Sequence, residues 1–189
     1  TMRTRQFWAV CAVYLIVTYT AQSVMIHIIL YAKDSGITKS QAASIVSVVG
    51  AASIAGRLIM GSTGDKLGNR RALIICFIVL VAALSWLQLA KGLWMLYLFA
   101  IVYGFAHGGF FAVMSPLVAE LFGTMSHGVN FGMVLFLGQI GGAIGPVVTG
   151  RIFDVAHSYQ WAFVILIAAS VGALILTITQ IKPVQVNKP

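Results

Sequence analysis

The chain has 189 residues, of which 60% are hydrophobic and only 8% charged, with a formal net charge of +8. A soluble domain carries roughly 25% charged residues, and one of this size could not hide so much apolar surface, so a water-soluble globule is excluded. In a bilayer protein the positive excess reads as loop topology and not as a nucleic-acid footprint.

Six apolar runs are long enough to cross a hydrocarbon core about 30 Å thick. They lie at 7–31, 41–61, 72–90, 93–118, 128–151 and 161–181, and predict an all-α membrane protein built as one six-helix bundle over 1–189. The alternating segments of about ten residues that mark a membrane barrel are missing. The first run is too long for a cleavable signal peptide and lacks a small-residue cleavage site, so it reads as a span. It contains Cys11, and His27 and Tyr31 fall towards its far end. The second carries the small residues Ser47, Ala51 and Ala55 at helical spacing, together with Ser53 and Arg57. The third holds Cys76, which like Cys11 reads as a small packing residue with no disulfide or metal spacing. The fourth holds Gly104, His107, Gly108, Phe110 and Phe111. In the fifth, Gly138 and Gly142 are four apart, as are Gly141 and Gly145, with Pro146 next. Small residues four apart let helix backbones approach closely where lipid gives no hydrophobic drive. Gly145-Pro146 is also a candidate bend, because proline removes one backbone hydrogen bond.

The connections are short, which predicts that consecutive helices are antiparallel neighbours. With six spans both termini share one side. That side holds Arg3, Arg5, Lys66, Arg70, Arg71, Lys182 and Lys188, while the other holds Lys33, Lys39, Lys91 and Arg151. The excess predicts cytoplasmic termini, in a plasma or bacterial inner membrane. Trp8, Trp86, Trp94 and Trp161 fall near span ends, where amphipathic rings settle.

The remaining cation is Arg57, four residues before Gly61 and so about 6 Å inside the expected boundary at the helical rise. Its side chain either snorkels to the headgroups or faces a wet interior, where a guanidinium can hold a carboxylate with two parallel hydrogen bonds. Ser53 lies one turn earlier on the same face. His107 either relays a proton or makes an interhelical hydrogen bond. Tyr103, Phe110 and Phe111 read first as packing, with Phe111 kept as a candidate lining residue. Asn130 and Gln139 are polar positions of the fifth span, and Glu120, His127, Asp154 and His157 are assigned to loops. There is no nucleophile triad, metal motif or phosphate loop.

The stretch 61–71, "GSTGDKLGNRR", predicts a tight basic turn. Gly64 and Gly68 free the backbone, Asp65 caps a helix start or pairs with a cation, and Lys66, Arg70 and Arg71 face the cytoplasm. Its spacing resembles the signature Gly-x-x-x-Asp-(Lys/Arg)-x-Gly-x-(Arg/Lys)-(Arg/Lys) of the major facilitator superfamily, read here as Gly61, Asp65, Lys66, Gly68, Arg70 and Arg71. Position 69, often Arg in the family, is Asn. "RTRQFW", "YAKDSGIT", "GRLIMG", "LVAELFG" and "GGAIGPVVTGRIFD" resemble the C-terminal half of monocarboxylate and oxalate/formate transporters. The aromatic-glycine motif of a first helix is not seen. The resemblance implies helices 7–12 of a twelve-helix transporter, with the other six-helix half upstream in the same polypeptide or supplied by a second copy. It implies a substrate arginine on the eighth helix, at Arg57. An Asp expected four residues before it is Ser53 here, and a lysine of the eleventh helix in oxalate exchangers is replaced by Gln139. One charge suits one carboxylate, so the expected cargo is a monocarboxylate such as lactate or pyruvate, carried by alternating access with proton symport or anion exchange. No cofactor, metal, nucleic acid or catalytic residue is expected. The competing readings are a dicarboxylate exchanger, a dimerising half-transporter, and a six-helix scaffold or sensor that moves nothing.

Overall fold

The computed structural model describes residues 4–181. Six helices account for nearly all of them: α1 (Arg5–Asp34), α2 (Lys39–Leu67), α3 (Asn69–Leu87), α4 (Leu93–Phe122), α5 (His127–Ala156) and α6 (Gln160–Gln180). Each contains a stretch apolar and long enough to cross a membrane. Arg3, Lys182 and Lys188, which enter the charge count, lie outside the described residues.

Consecutive helices reverse direction, but the most extensive packing is between helices that are not consecutive: α2 lies on α4, and α1 on α5. Both pairs run parallel, and glycines make the close approach. Val49 meets Gly104 and Ser53 meets Gly108, so the two chains climb together. Across the other pair, Gly138 faces Tyr14, Gly141 faces the Leu15 carbonyl and Gly145 faces that of Tyr19. Thr18 adds a hydrogen bond from its hydroxyl to the Gly138 carbonyl. The small residues Ser47, Ala51 and Ala55, expected to mark a packing face, are instead exposed; α2 buries Val49, Ser53, Gly56 and Met60. α3 bridges α4 and α6, and α6 closes against α1. The core runs through the middle of the bundle, with Phe77, Phe99, Tyr103, Leu84 and Leu117 wholly buried. Cys11 and Cys76 are both free and buried in it.

The helices outrun the expected spans. α2 continues past Gly61 to Leu67, and Ser62 and Thr63 satisfy their hydroxyls on the carbonyls of Leu58 and Ile59 within the helix. Gly64 is therefore helical, and its missing Cβ leaves room for the Asn69 side chain. The turn is left to Gly68 alone, at φ 88°, a conformation that favours glycine. Gly68 is also the N-cap of α3, with no side-chain cap bond, so Asp65 does not cap that helix. Glu120, His127 and Asp154, assigned to loops by sequence, are helical; only His157 lies outside, as the left-handed C-cap of α5.

At the same end Arg70 donates to the Ile178 carbonyl at 2.7 Å and ties the start of α3 to the last turn of α6, where free carbonyls attract cations. Arg70→Ala is expected to speed amide exchange in the last turn of α6 roughly two- to fivefold, the worth of one exposed hydrogen bond. Hydrogen–deuterium exchange by mass spectrometry would measure it.

At the opposite end Tyr31 donates to the Ala90 carbonyl at 2.7 Å. His27 places Nε2 at 3.0 Å from the Pro146 carbonyl, which requires that nitrogen to donate. Its Nδ1 is then left to accept from the Tyr159 hydroxyl at 3.4 Å. Pro146 lies inside the continuous α5, and this contact fastens it to α1.

Candidate functional site

α2 and α5 are the least covered helices. In their most apolar windows only 28% and 22% of residues are buried, against 61% in α1 and 56% in α4. Their open faces are strongly apolar, with Ile54, Leu58 and Ile59 on α2 and Phe136, Ile140, Ile144 and Val147 on α5 all exposed.

Arg57 stands on α2 amid that apolar surface and is itself exposed in this bundle. It lies ten residues before the end of the helix, which places its Cα ~15 Å from that end. That is deeper along the helix than the expected 6 Å from a boundary at Gly61, because the turn residues are wound into α2. Ser53, one turn earlier, is buried; its hydroxyl donates to the Gly50 carbonyl at 2.8 Å, and its backbone is what Gly108 admits. The same close approach brings Arg57 level with the middle of α4.

His107 is half-buried midway along α4. Its ring stacks on Tyr103 at 5.7 Å and meets the edge of Phe111 at 5.1 Å. It is close enough to Arg57 for the two to interact electrostatically. Phe111 is 42% exposed, at the rim of the same patch. Tyr103 is a packing residue: it is buried and donates to the Ala21 carbonyl of α1 at 3.2 Å. The structure thus brings Arg57, Ser53, His107 and Phe111 into one patch across the α2/α4 pair. Gln139 stands apart, exposed on α5 in the other pair. Asn130 is buried near the start of α5, with its amide nitrogen unpartnered.

Sequence reading did not find the recess behind His107. It is sized for about one water and lined by Val17, Thr20 and Ala21 of α1, Leu80 of α3, and Tyr103, His107 and Phe110 of α4. Thr20 is 1% exposed, and its hydroxyl has no hydrogen-bond partner. No motif marks Thr20; only the packing of α1 against α4 reveals it. Among the described residues no group of His, Cys, Asp and Glu could hold a metal ion.

Comparison with known proteins gives this architecture a family. Residues 8–189 match the Major Facilitator Superfamily, and the chain belongs to it. That is a superfamily of membrane transporters, not of enzymes. Monocarboxylate transporter 12 of Homo sapiens is 24% identical over 155 residues, covering 80% of this chain and 30% of that protein. Monocarboxylate transporter 13 of Rattus norvegicus is 27% identical over 155 residues, covering 79% and 36%. Riboflavin transporter MCH5 of Saccharomyces cerevisiae is 24% identical over 138 residues, covering 72% and 26%. The chain thus spans about a third of the length of these relatives. Among solved structures, a proton-dependent oligopeptide transporter superposes with a TM-score of 0.86 over 97% of this chain and 43% of its own, at 16% identity, a likeness of fold. The six helices are one half of a major facilitator fold.

Proposed function

We propose that this chain is the C-terminal half, helices 7–12, of a secondary active transporter for a small organic anion, with a monocarboxylate such as lactate or pyruvate as cargo. The observation that carries the reading is Arg57: a permanent cation set deep on an open helix face, beside His107 and Phe111. A charge at that depth is costly in lipid and favourable where water or an anion reaches it. A guanidinium presents two parallel N–H donors to one carboxylate, and no second cation flanks it in the patch. The open faces of α2 and α5 are where a second six-helix half would close the path, from the same polypeptide or from another copy. The Ser47, Ala51 and Ala55 edge gives that partner a smooth surface. Cargo held between two halves near mid-membrane moves by rocking of one half against the other, driven by a proton or counter-anion gradient. Gly61, Asp65 and Lys66 on the last turns of α2, Gly68 in the turn, and Arg70 and Arg71 at the start of α3 are the conformational motif of that motion, and Gly145 with Pro146 a point of give in α5. The excess of cations at the end of the α2–α3 turn supports cytoplasmic termini in a plasma or bacterial inner membrane.

The test is uptake by proteoliposomes containing the full-length protein. Saturable uptake of labelled pyruvate or lactate is expected, competed weakly by oxalate. Preference for oxalate would favour dicarboxylate exchange, and no uptake of any of these anions under either gradient would favour a scaffold or sensor.

A further inference from the structure

The recess between α1 and α4 joins the anion patch through a single side chain, His107, and that position has a chemical consequence. The four acidic residues of the chain are Asp34, Asp65, Glu120 and Asp154, and each lies near a helix end. Of the four histidines, His127 and His157 are also at helix ends, and His27 is held near the end of α1 between the Pro146 carbonyl and Tyr159. Among the described residues, the one imidazole or carboxyl group at mid-depth is therefore His107.

The surroundings of its ring are defined. α4 contributes Tyr103 on one side and Phe111 on the other. α2 contributes Arg57, the one formal charge facing it. From α1 and α3 the recess receives Thr20 and Leu80, neither of which titrates. Among the described residues the ring makes aromatic contacts and no interhelical hydrogen bond. The Thr20 hydroxyl is buried and unpartnered in the same recess, and a buried hydroxyl without a partner is the ordinary seat of an internal water.

Resting on the reading of Arg57 as the anion site, we infer that His107 is the coupling proton site, and that it exchanges its proton through one water held by Thr20. The proton arrives on that water from the aqueous side, binds the free nitrogen of the neutral imidazole, and leaves the water as it was; release on the far side reverses the step. Arg57 links this to the cargo. A proton on His107 and the bare guanidinium repel one another, and a carboxylate on Arg57 removes the repulsion. Anion and proton therefore favour each other's binding, and by linkage each does so to the same degree. The transporter is then a symporter of a monoanion and a proton, carrying no net charge.

The experiment uses the full-length protein in proteoliposomes with labelled pyruvate, read two ways: uptake driven by an inward proton gradient, and counterflow between equal pH and equal pyruvate on both sides, which needs no net proton movement. His107→Gln is expected to lower gradient-driven uptake roughly tenfold or more, while counterflow measured at saturating pyruvate, where weaker anion binding is overcome, persists with a far smaller loss. In the wild type the apparent affinity for pyruvate is expected to tighten severalfold as the pH is lowered, and His107→Gln removes that dependence. Thr20→Val, close to isosteric, is expected to slow gradient-driven uptake severalfold with counterflow intact. Gradient-driven uptake by His107→Gln equal to wild type overturns the inference. So does loss of counterflow together with uptake, which assigns the ring to packing. Arg57→Gln separates the two readings: its loss of both uptake and counterflow supports the anion site. Its retention of both overturns that site, and with it the coupling.

Discussion

Replacing Arg57 by Gln in the full-length protein is expected to lower saturable pyruvate uptake roughly 10- to 100-fold with little change in the amount of folded protein. A charge-assisted hydrogen bond is worth about 1.5–3 kcal/mol, and a neutral amide keeps neither the charge nor the two-pronged geometry of a guanidinium. Arg57 lies on the open face of α2 and, among the described residues, makes no hydrogen bond to another helix, so its loss should not unseat the fold. Arg57→Lys is the informative companion. It keeps the charge and loses the fork, so it should fall between wild type and Gln, with the loss mainly in apparent affinity. If the side chain merely snorkels to headgroups, Lys would behave as wild type and Gln would leave uptake unchanged. Uptake across the three proteins, normalised to protein in the vesicles, separates these outcomes.

The number and approximate place of the helices are legible in the sequence because lipid enforces a simple rule: long apolar runs, polar punctuation. The turn between α2 and α3 was harder. "GSTGDKL" reads as loop, since glycine and small hydroxyls favour turns in water, yet Ser62 and Thr63 bond back to their own helix and the chain stays wound until Gly68. That one difference extends α2 and lengthens the run from Arg57 to its end. Glycine spacing announced close helix contacts at Gly104, Gly108, Gly141 and Gly145, all of which meet a neighbouring backbone. It did not announce the partner. Short loops pointed to sequential neighbours, whereas the closest pairs are the parallel α2/α4 and α1/α5, set by which small-residue faces fit. Arg57, Ser53 and His107 were each visible as polar residues in apolar text, Phe111 read first as packing, and the α2/α4 register is what places the four together. Gln139 was visible in the same way and lies elsewhere. Thr20 was not visible, because a threonine in an apolar helix is unremarkable until its hydroxyl is found without a partner.

That register can be tested directly. Gly108→Ala is expected to cost about 1–3 kcal/mol, the ordinary cost of overpacking, and to lower Tm by roughly 4–10 °C. An added Cβ would meet the Ser53 carbonyl and lie 2.7 and 2.8 Å from its carbonyl carbon and Cα, and backbone atoms cannot step aside as a flexible side chain can. Gly56→Ala meets the Phe105 backbone in the same way, from the other helix of the pair. Gly172 on α6 is the control: its Cβ would meet nothing within 4 Å, so Gly172→Ala should be neutral or stabilise by up to about 1 kcal/mol through helix propensity alone. The pair of results bears on transport as well as stability. Pushing α4 away from Ser53 also moves His107 away from Arg57, so Gly108→Ala protein that still folds should show weaker dependence of pyruvate affinity on pH. Thermal unfolding of purified protein, followed by uptake at two pH values, measures both. A Gly108→Ala variant as stable as wild type would mean that α2 and α4 do not touch at Ser53, and the shared level of the arginine and the histidine would be lost with that contact.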